Sequence, residues 1–363
     1  MSRYFSEAYR RLVPYVPGEQ PKDMRYIKLN TNESPFPPFA SVVEAAKEAA
    51  EHGELYSDPE CLSIRGALAK RYGVDTAEVL ATNGSDEALN FAFMAYCSKD
   101  RPAAFPDVTY GFYPVFAELH GIPYREIPLK DDFSVDPGDY TGTGETLFLA
   151  NPNAPTGIAL PLSAIREIVA SNPDRVVVVD EAYVDFGAES AVPLIREFDN
   201  LLVIGTFSKS RSLAGARLGF AFGNRELIRD LDTLRNSTNP YNVNRMTMAA
   251  GVASLAEDEI NRERCAVVAK NRDDCAAKLR EMGFELTASK ANFLFARHPA
   301  VSGEDLYLGL RKRGILVRHW NRGRIADWNR ITVGTAEQMD ALCAAVRGIL
   351  DKTNEKGGPR EVL

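Results

Sequence analysis

The chain has 363 residues, 45% of them hydrophobic and 26% charged, with 43 Lys and Arg against 50 Asp and Glu for a net charge of −7. This is ordinary globular composition, which excludes wholesale disorder, and a chain of this length buries roughly 75% of its unfolded surface without a disulfide or metal staple. The acidic balance and the lack of any Lys/Arg run exclude the phosphate-neutralising stripe of a nucleic-acid binder, and the length predicts about two domains.

In chain order, the opening MSRYFSEAYRRLVPY has no apolar core between its charges and does not read as a signal peptide. The Pro-rich stretches LVPYVPGEQP and LNTNESPFPP predict an extended arm over residues 1–40, because proline fixes φ and removes donors. Helical patterns follow from Ser41, near 60–72 and near 85–98. From there to about 225, the β-rich runs AAFPDV, TLFLANP, RVVVVDEAY, NLLVIGTFS and LGFAFG alternate with helical YPVFAELHG and LSAIREIVAS. Such alternation predicts an α/β fold with a mostly parallel sheet covered on both faces, here a large domain over 41–250. A long helical region over 242–283 leads to a smaller α+β domain, 251–363, with strands NFLFAR, ILVRHW and RITVG and helices EDLYLGLRKRG and AEQMDALCAAVRGILD. The polar end TNEKGGPREVL reads as loose.

No apolar run, Val176–Val179 included, approaches the length of a membrane span, so no membrane partner is expected. Five cysteines (Cys61, Cys97, Cys265, Cys275, Cys343) without CxxC spacing suit reduced thiols in the cytoplasm. Four scattered histidines (His52, His120, His298, His319) supply no metal-ligand spacing, so no metal is expected.

Chemistry is expected at the carboxyl ends of the strands, where open α/β sheets bind ligands. The acid that follows the valine run is such a position, and four stretches matter together: TNGSDEAL (82–89), NPNAPTG (151–157), DEAY (180–183) and TFSKSRSLAGARLG (206–219). Singly each is ordinary. Asp180 reads equally as the cap of a turn, Lys209 as a surface lysine, and Gly84-Ser85 as a helix N-cap. The glycines Gly215 to Gly219 do not make a dinucleotide fingerprint.

Taken in this order and spacing, the four stretches resemble the fold-type I pyridoxal-phosphate aminotransferases, and within them the histidinol-phosphate aminotransferase family. The resemblance runs from LVPY in the arm to RITVG near the end. It implies a large domain with a mixed, mostly parallel sheet, a small C-terminal domain and an N-terminal arm. It implies pyridoxal 5'-phosphate as cofactor, with Lys209 forming the Schiff base to its aldehyde and carrying the proton between substrate and cofactor carbons. Asp180 then holds a proton on the ring nitrogen, and Tyr183 hydrogen-bonds the phenolic oxygen. The phosphate falls to backbone amides of Gly84, Ser85 and Asp86 at a helix start, to the hydroxyls of Thr206 and Ser208, and to the planar fork of Arg217. Tyr110 matches the aromatic residue that stacks on the ring, although a core tyrosine is the commoner fate of such a residue.

One position departs from the family pattern. Where Asn usually precedes Pro-Thr-Gly and donates to the phenolic oxygen, this chain has Ala154. The lost contact, worth about 1 kcal/mol, falls to Asn153 or to water, which retunes the site without silencing it. For the substrates, Arg330 matches the arginine that binds the carboxylate of glutamate and the phosphate of histidinol phosphate. Arg318 reads either as a second phosphate ligand or as a surface ion pair. Tyr15 and Asn32 resemble arm residues that close over the substrate. Tyr56 resembles a tyrosine that reaches the cofactor phosphate of a neighbouring subunit, which implies a homodimer with shared active sites.

The implied reaction transfers an amino group between L-glutamate/2-oxoglutarate and imidazole acetol phosphate/L-histidinol phosphate in histidine biosynthesis. An aromatic amino-acid aminotransferase and a phosphothreonine decarboxylase use the same scaffold and remain rivals. A non-catalytic protein of this fold is disfavoured by the intact Lys209, Asp180 and Arg217 set.

Overall fold

The valine run is the middle of the molecule. In the computed structural model, which describes residues 2–356, Val177–Asp180 is the fourth of seven strands in the main sheet. Three elements precede that sheet: strand β1 (Ile27–Lys28) and helices α1 (Ala40–Ala50) and α2 (Leu62–Tyr72). Then come β2 (Val79–Thr82), α3 (Ser85–Tyr96), β3 (Ala103–Pro106), α4 (Phe112–His120), β4 (Tyr124–Ile127), β5 (Thr146–Ala150) and α5 (Leu162–Ala170). The valine strand is β6 (Val177–Asp180), followed by β7 (Leu201–Thr206) and β8 (Gly219–Gly223).

The sheet order is β2-β8-β7-β6-β5-β3-β4, and β8 alone runs against the rest. Along β6, successive valines alternate between two cores. Val177 and Val179 join Leu147, Leu149 and Val203 on the face covered by α2 and α5, while Val178 joins Phe148, Leu202 and Ile204 under α3 and α4. The period of two and burial on both faces explain why the run reads as continuously apolar. Each fully buried valine contributes about 1.5–3 kcal/mol.

Helices α6 (Arg225–Thr238), α7 (Arg245–Ala256) and α8 (Asp258–Glu281) lead into β9 (Glu285–Leu286), β10 (Phe293–Arg297), α9 (Gly303–Arg311), β11 (Ile315–Leu316), β12 (Arg318–His319), β13 (Asn329–Thr332) and α10 (Ala336–Lys356). A four-stranded sheet, β12-β13-β10-β9, packs with α8 and α10 around Val268, Leu279, Phe293, Ile331 and Leu342.

Several details differ from expectation. The helical stretch 242–283 is two helices broken at Glu257, with α7 in the main-sheet core (Met248, Ala250, Leu255) and α8 in the second core (Cys265, Val268). The break is pinned by Asp258, whose carboxylate takes Arg211 (2.5 Å), Arg71 (2.6 Å) and Arg262 (2.7 Å). ILVRHW is two short strands, because β11 pairs with β1 of the arm while β12 pairs with β13. The arm is therefore not wholly irregular; it also has a single 3-10 turn at Glu7–Tyr9. Helix α10 carries the start of the supposedly loose tail to Lys356, and the remainder of that tail lies outside the described residues. Among the described residues no helix is long and apolar enough to cross a membrane, and the five cysteines are free.

The reversed β8 decides where the motifs meet. Its first residue, Gly219, pairs with Thr206 at the end of β7 and with Thr82 at the end of β2. A Cβ on Gly219 would lie 2.3 Å from the Gly84 carbonyl carbon and 2.4 Å from the Ser85 nitrogen, both backbone atoms that cannot yield cheaply. Gly219→Ala is expected to cost about 1–3 kcal/mol by overpacking. Gly66→Ala, in the interior of α2 with open space around its Cβ, should instead gain about 0.5–1 kcal/mol. Urea unfolding midpoints check both signs, and equal effects would refute this account of Gly219.

Candidate active site

At the carboxyl edge of the main sheet a cavity of about 210 Å³ is lined by Ser85, Asp86, Tyr110, Ala154, Asp180, Tyr183, Thr206, Ser208, Lys209 and Arg217, with Thr31 and Glu33 from the arm. Six stretches far apart in sequence meet here because β2, β6 and β7 end at this edge and β8 begins at it.

One pole of the cavity is built for an anion. Gly84, at φ +78, caps α3, and a Cβ there would lie 2.5 Å from Arg217 Nη2, so only glycine lets the arginine reach the helix start. The α3 N-terminus adds its dipole. Thr206 Oγ1 lies 2.9 Å from Ser208 Oγ, and the Ser208 amide donates to Thr206 Oγ1 (3.1 Å). Arg217 Nη2 donates to Asp86 Oδ2 (3.1 Å), and Tyr110 donates to Asp86 Oδ1 (2.7 Å). The Asp86 side chain therefore orients both the guanidinium and the aromatic ring.

The opposite pole is acidic. Asp180, 5% exposed at the end of β6, accepts the Ala182 amide (3.1 Å) and the Tyr113 hydroxyl (3.3 Å). Burial pushes its carboxyl up to about 6. Tyr113 was not singled out in the sequence; it sits three residues after Tyr110 in the same YGFYP stretch, on the first turns of α4. Asn32 Nδ2 donates to the Tyr183 hydroxyl (3.0 Å), which leaves the tyrosine's own proton free to donate.

Between the poles, Lys209 Nζ donates to the Thr31 carbonyl (3.2 Å) and lies 5.9 Å from the Tyr183 ring centroid. Burial, helped by Arg330, lowers its pKa to about 8. At pH 7 such an amine is about one-tenth neutral, against about one part in a few thousand for an ordinary lysine.

The remaining expected residues are placed differently. Asn153 is not a cavity wall: its amide donates to the Val108 carbonyl (2.9 Å) and to Thr156 Oγ1 (3.0 Å), and its oxygen accepts from Thr109 (2.7 Å). With its donors spent on Val108 and Thr156, it does not make good the contact that Ala154 lacks, and Ala154 itself faces the cavity. Arg330, on β13, donates to the Asn30 carbonyl (3.0 Å) and lies 5.4 Å from the rings of both Phe293 and Trp320. Its buried Nε has no partner, and among the described residues no carboxylate forms an ion pair with it. Such a cation is a ready ligand for an incoming anion.

Arg318 pairs with Arg330 across β12 and β13, but its guanidinium is taken by the carbonyls of Val16 (2.9 Å) and Pro17 (3.1 Å), so it is not a surface ion pair. Tyr15 stacks on Phe112 (4.4 Å), carrying the arm across to α4. Tyr56 is 78% exposed, stacks on Tyr241 (4.4 Å), and is not a wall of this cavity. Trp320, flanked by two guanidinium groups, was missed because an exposed-looking loop tryptophan carries no motif.

The model for aminotransferase class I and II matches residues 25–346. The chain belongs to the class I and II aminotransferases. This aminotransferase is 49% identical over 350 residues to histidinol-phosphate aminotransferase 1 of Bradyrhizobium diazoefficiens, covering 96% of this chain and 100% of the relative. It is also 49% identical over 356 residues to the histidinol-phosphate aminotransferase of Aromatoleum aromaticum, covering 96% of this chain and all of that one. Among solved structures, the histidinol-phosphate aminotransferase of Sinorhizobium meliloti in complex with pyridoxal-5'-phosphate superposes with a TM-score of 0.89 at 25% identity, over 97% of this chain and 99% of that one.

The lowered pKa of Lys209 predicts a pH profile. The neutral amine is the reactive form, so covalent attachment of pyridoxal phosphate to the cofactor-free aminotransferase should speed up as pH rises through about 8 and then level off. Borohydride trapping at successive times measures the rate; a midpoint near that of free lysine would contradict the burial argument.

Proposed function

We infer that this aminotransferase moves an amino group between L-glutamate/2-oxoglutarate and imidazole acetol phosphate/L-histidinol phosphate, a step of histidine biosynthesis. The observation that carries the reading is the cavity itself, where a desolvated lysine, a buried carboxylate and an anion-binding helix start face one another. Its near-full-length relatives of the same name support the choice of substrate.

Pyridoxal 5'-phosphate is the cofactor, supplying an aldehyde that carries the amino group and a protonated ring that withdraws electrons. The residues fit that group. The α3 N-terminus at Gly84–Asp86, the Thr206 and Ser208 hydroxyls and Arg217 hold its phosphate. Asp180 would face the ring nitrogen and hold a proton there, a positive charge that favours the ionised carboxylate against the effect of burial. Tyr183, with its hydroxyl proton free, would donate to the phenolic oxygen, and Tyr110, held by Asp86, would flank the ring.

Lys209 Nζ would take the proton from the substrate carbon that bears the amino group, its lowered pKa leaving a neutral fraction able to accept it. Arg330 receives the carboxylate of glutamate in one half of the cycle and the phosphate of the histidinol substrate in the other. Arg318 lies beside it across the strand pair and adds positive charge there. The two arginines repel one another across β12 and β13, so an anion between them is favoured.

The reading extends to a homodimer with shared sites in the cytoplasm. Support comes from the exposed Tyr56 and Tyr241, which stack on one another, from the exposed Val43 and Met246, which line one groove, and from the unbridged cysteines. Tyr56 would then face the phosphate of the second subunit's cofactor. Size-exclusion chromatography with light scattering tests this, and a monomer at micromolar concentration would rule it out.

The protein should be yellow, and glutamate should convert its absorbance to that of the pyridoxamine form. Histidinol phosphate should be a far better amino donor than phenylalanine, tyrosine or unphosphorylated histidinol; parity among them would favour an aromatic aminotransferase, and carbon dioxide from phosphothreonine a decarboxylase. Lys209→Ala should lose transamination while still binding the cofactor, without a borohydride-trapped adduct. Arg330→Gln should cost about 2–5 kcal/mol in kcat/KM for both glutamate and histidinol phosphate, as expected for an anion deprived of its buried partner.

A further inference from the structure

Three carboxylates line the cavity: Glu33, Asp86 and Asp180. Asp180 is committed to the ring-nitrogen pole, and Asp86 to Arg217 and Tyr110. Glu33 is engaged only by Lys28 and Thr31 of its own arm. It belongs to the arm segment 30–34, whose Thr31 carbonyl receives Lys209 Nζ (3.2 Å) and whose Asn30 carbonyl receives Arg330 Nη2 (3.0 Å). The segment therefore spans the interval between the amine that handles the substrate's reacting carbon and the arginine that takes its anionic end.

The Glu33 carboxylate accepts from Lys28 Nζ at both oxygens (2.6 and 2.7 Å) and from Thr31 Oγ1 at Oε2 (2.7 Å). Burial works against its charge, but the Lys28 and Thr31 hydrogen bonds outweigh it and hold the carboxyl below the usual glutamate range. A carboxylate offers about four acceptor positions. Three are filled, and the vacant one lies on Oε1 of a group that forms part of the cavity wall.

We propose that this free edge of Glu33 accepts the imidazole N–H of the histidinol-phosphate substrate and so selects for a nitrogen heterocycle. The proposal rests on the substrate reading given above. Once the phosphate is assigned to Arg330 and the amino-bearing carbon to Lys209, the imidazole is the part of the substrate left without a partner, and it always presents at least one N–H donor. A phenyl ring in its place would shield the Oε1 edge from water and offer it nothing, a loss that discriminates strongly. Lys28 makes the pair neutral overall, so the same wall does not repel the carboxylates of glutamate in the other half-reaction.

The test separates the two half-reactions in the intact, cofactor-loaded protein by following the absorbance change with each amino donor alone. Glu33→Met should lower kcat/KM for histidinol phosphate about 10- to 100-fold, the range for a hydrogen bond to a charged group, and leave the glutamate half-reaction in place. Glu33→Gln, which keeps one oxygen acceptor, should recover part of the loss. Lys28→Met breaks the ion pair but keeps the carboxylate, and should hold histidinol phosphate turnover to within about fivefold.

A second measurement uses only the unaltered protein. Of the two ring N-methylated histidinol phosphates, the one whose methyl covers the bound nitrogen should lose activity at every pH, and the other should retain it only where its ring is protonated and the imidazolium supplies an N–H. If Glu33→Met slows both half-reactions alike, or Lys28→Met matches it, or both N-methyl isomers react as well as the parent, the proposal is overturned while the substrate reading stands. If the unaltered protein leaves histidinol phosphate itself unconverted, the substrate reading falls and takes this proposal with it.

Discussion

Removal from water governs this site. The same burial acts in opposite directions on its two central groups, lowering the Lys209 amine to about 8 and raising the Asp180 carboxyl to about 6. A lysine at its ordinary pKa would be a spectator at neutral pH. A solvated aspartate would be screened from any positive charge brought beside it. Both effects need a cavity floored by packed side chains, and the floor is the central strand of a seven-stranded sheet buried on both faces.

Topology turns that floor into a site. Had β8 run parallel to its neighbours, Arg217 would enter the strand at the far edge of the sheet, out of reach of Gly84. Reversal brings the arginine that precedes β8 to the edge where β2, β6 and β7 end. The close approach is then bought with glycine at two places, Gly84 and Gly219, where a single Cβ would push apart an arginine or a backbone.

The other half of the site comes from chain segments that belong to the second core. Asn32 bridges Tyr183 and Thr332, Arg330 reaches back to the Asn30 carbonyl, and Arg324 donates to the Leu129 carbonyl (2.8 Å). Asp258 adds a further tie: it joins the first residue of α8 to Arg211, two residues beyond the lysine, and to Arg71 of α2. Its carboxyl, drawn up by burial, is brought down to about 2 by three arginines. The arm and second-core residues at the cavity are thus tied to the main-sheet residues by a small number of specific contacts.

By itself the sequence determined the alternation of strands and helices, the buried valine strand, and the residue types of the cofactor pocket, because these depend on local periodicity and on motifs whose members lie within a few residues of one another. Lys209, Asp180, Tyr183, Arg217 and the Gly84–Asp86 turn were all legible for that reason, and they share one cavity. What only the tertiary structure decided were the contacts between segments hundreds of residues apart. Nothing local distinguishes Asn153, whose amide is consumed by the Val108 carbonyl and Thr156, from a cofactor ligand, or marks Tyr113 as the partner of Asp180. Nor does the sequence reveal that Arg318 is occupied by arm carbonyls while Arg330 keeps a bare Nε, or that Glu33 stands in the wall beside the lysine. A side chain's partners are set by which strands close against each other, and that is a property of the whole packed chain.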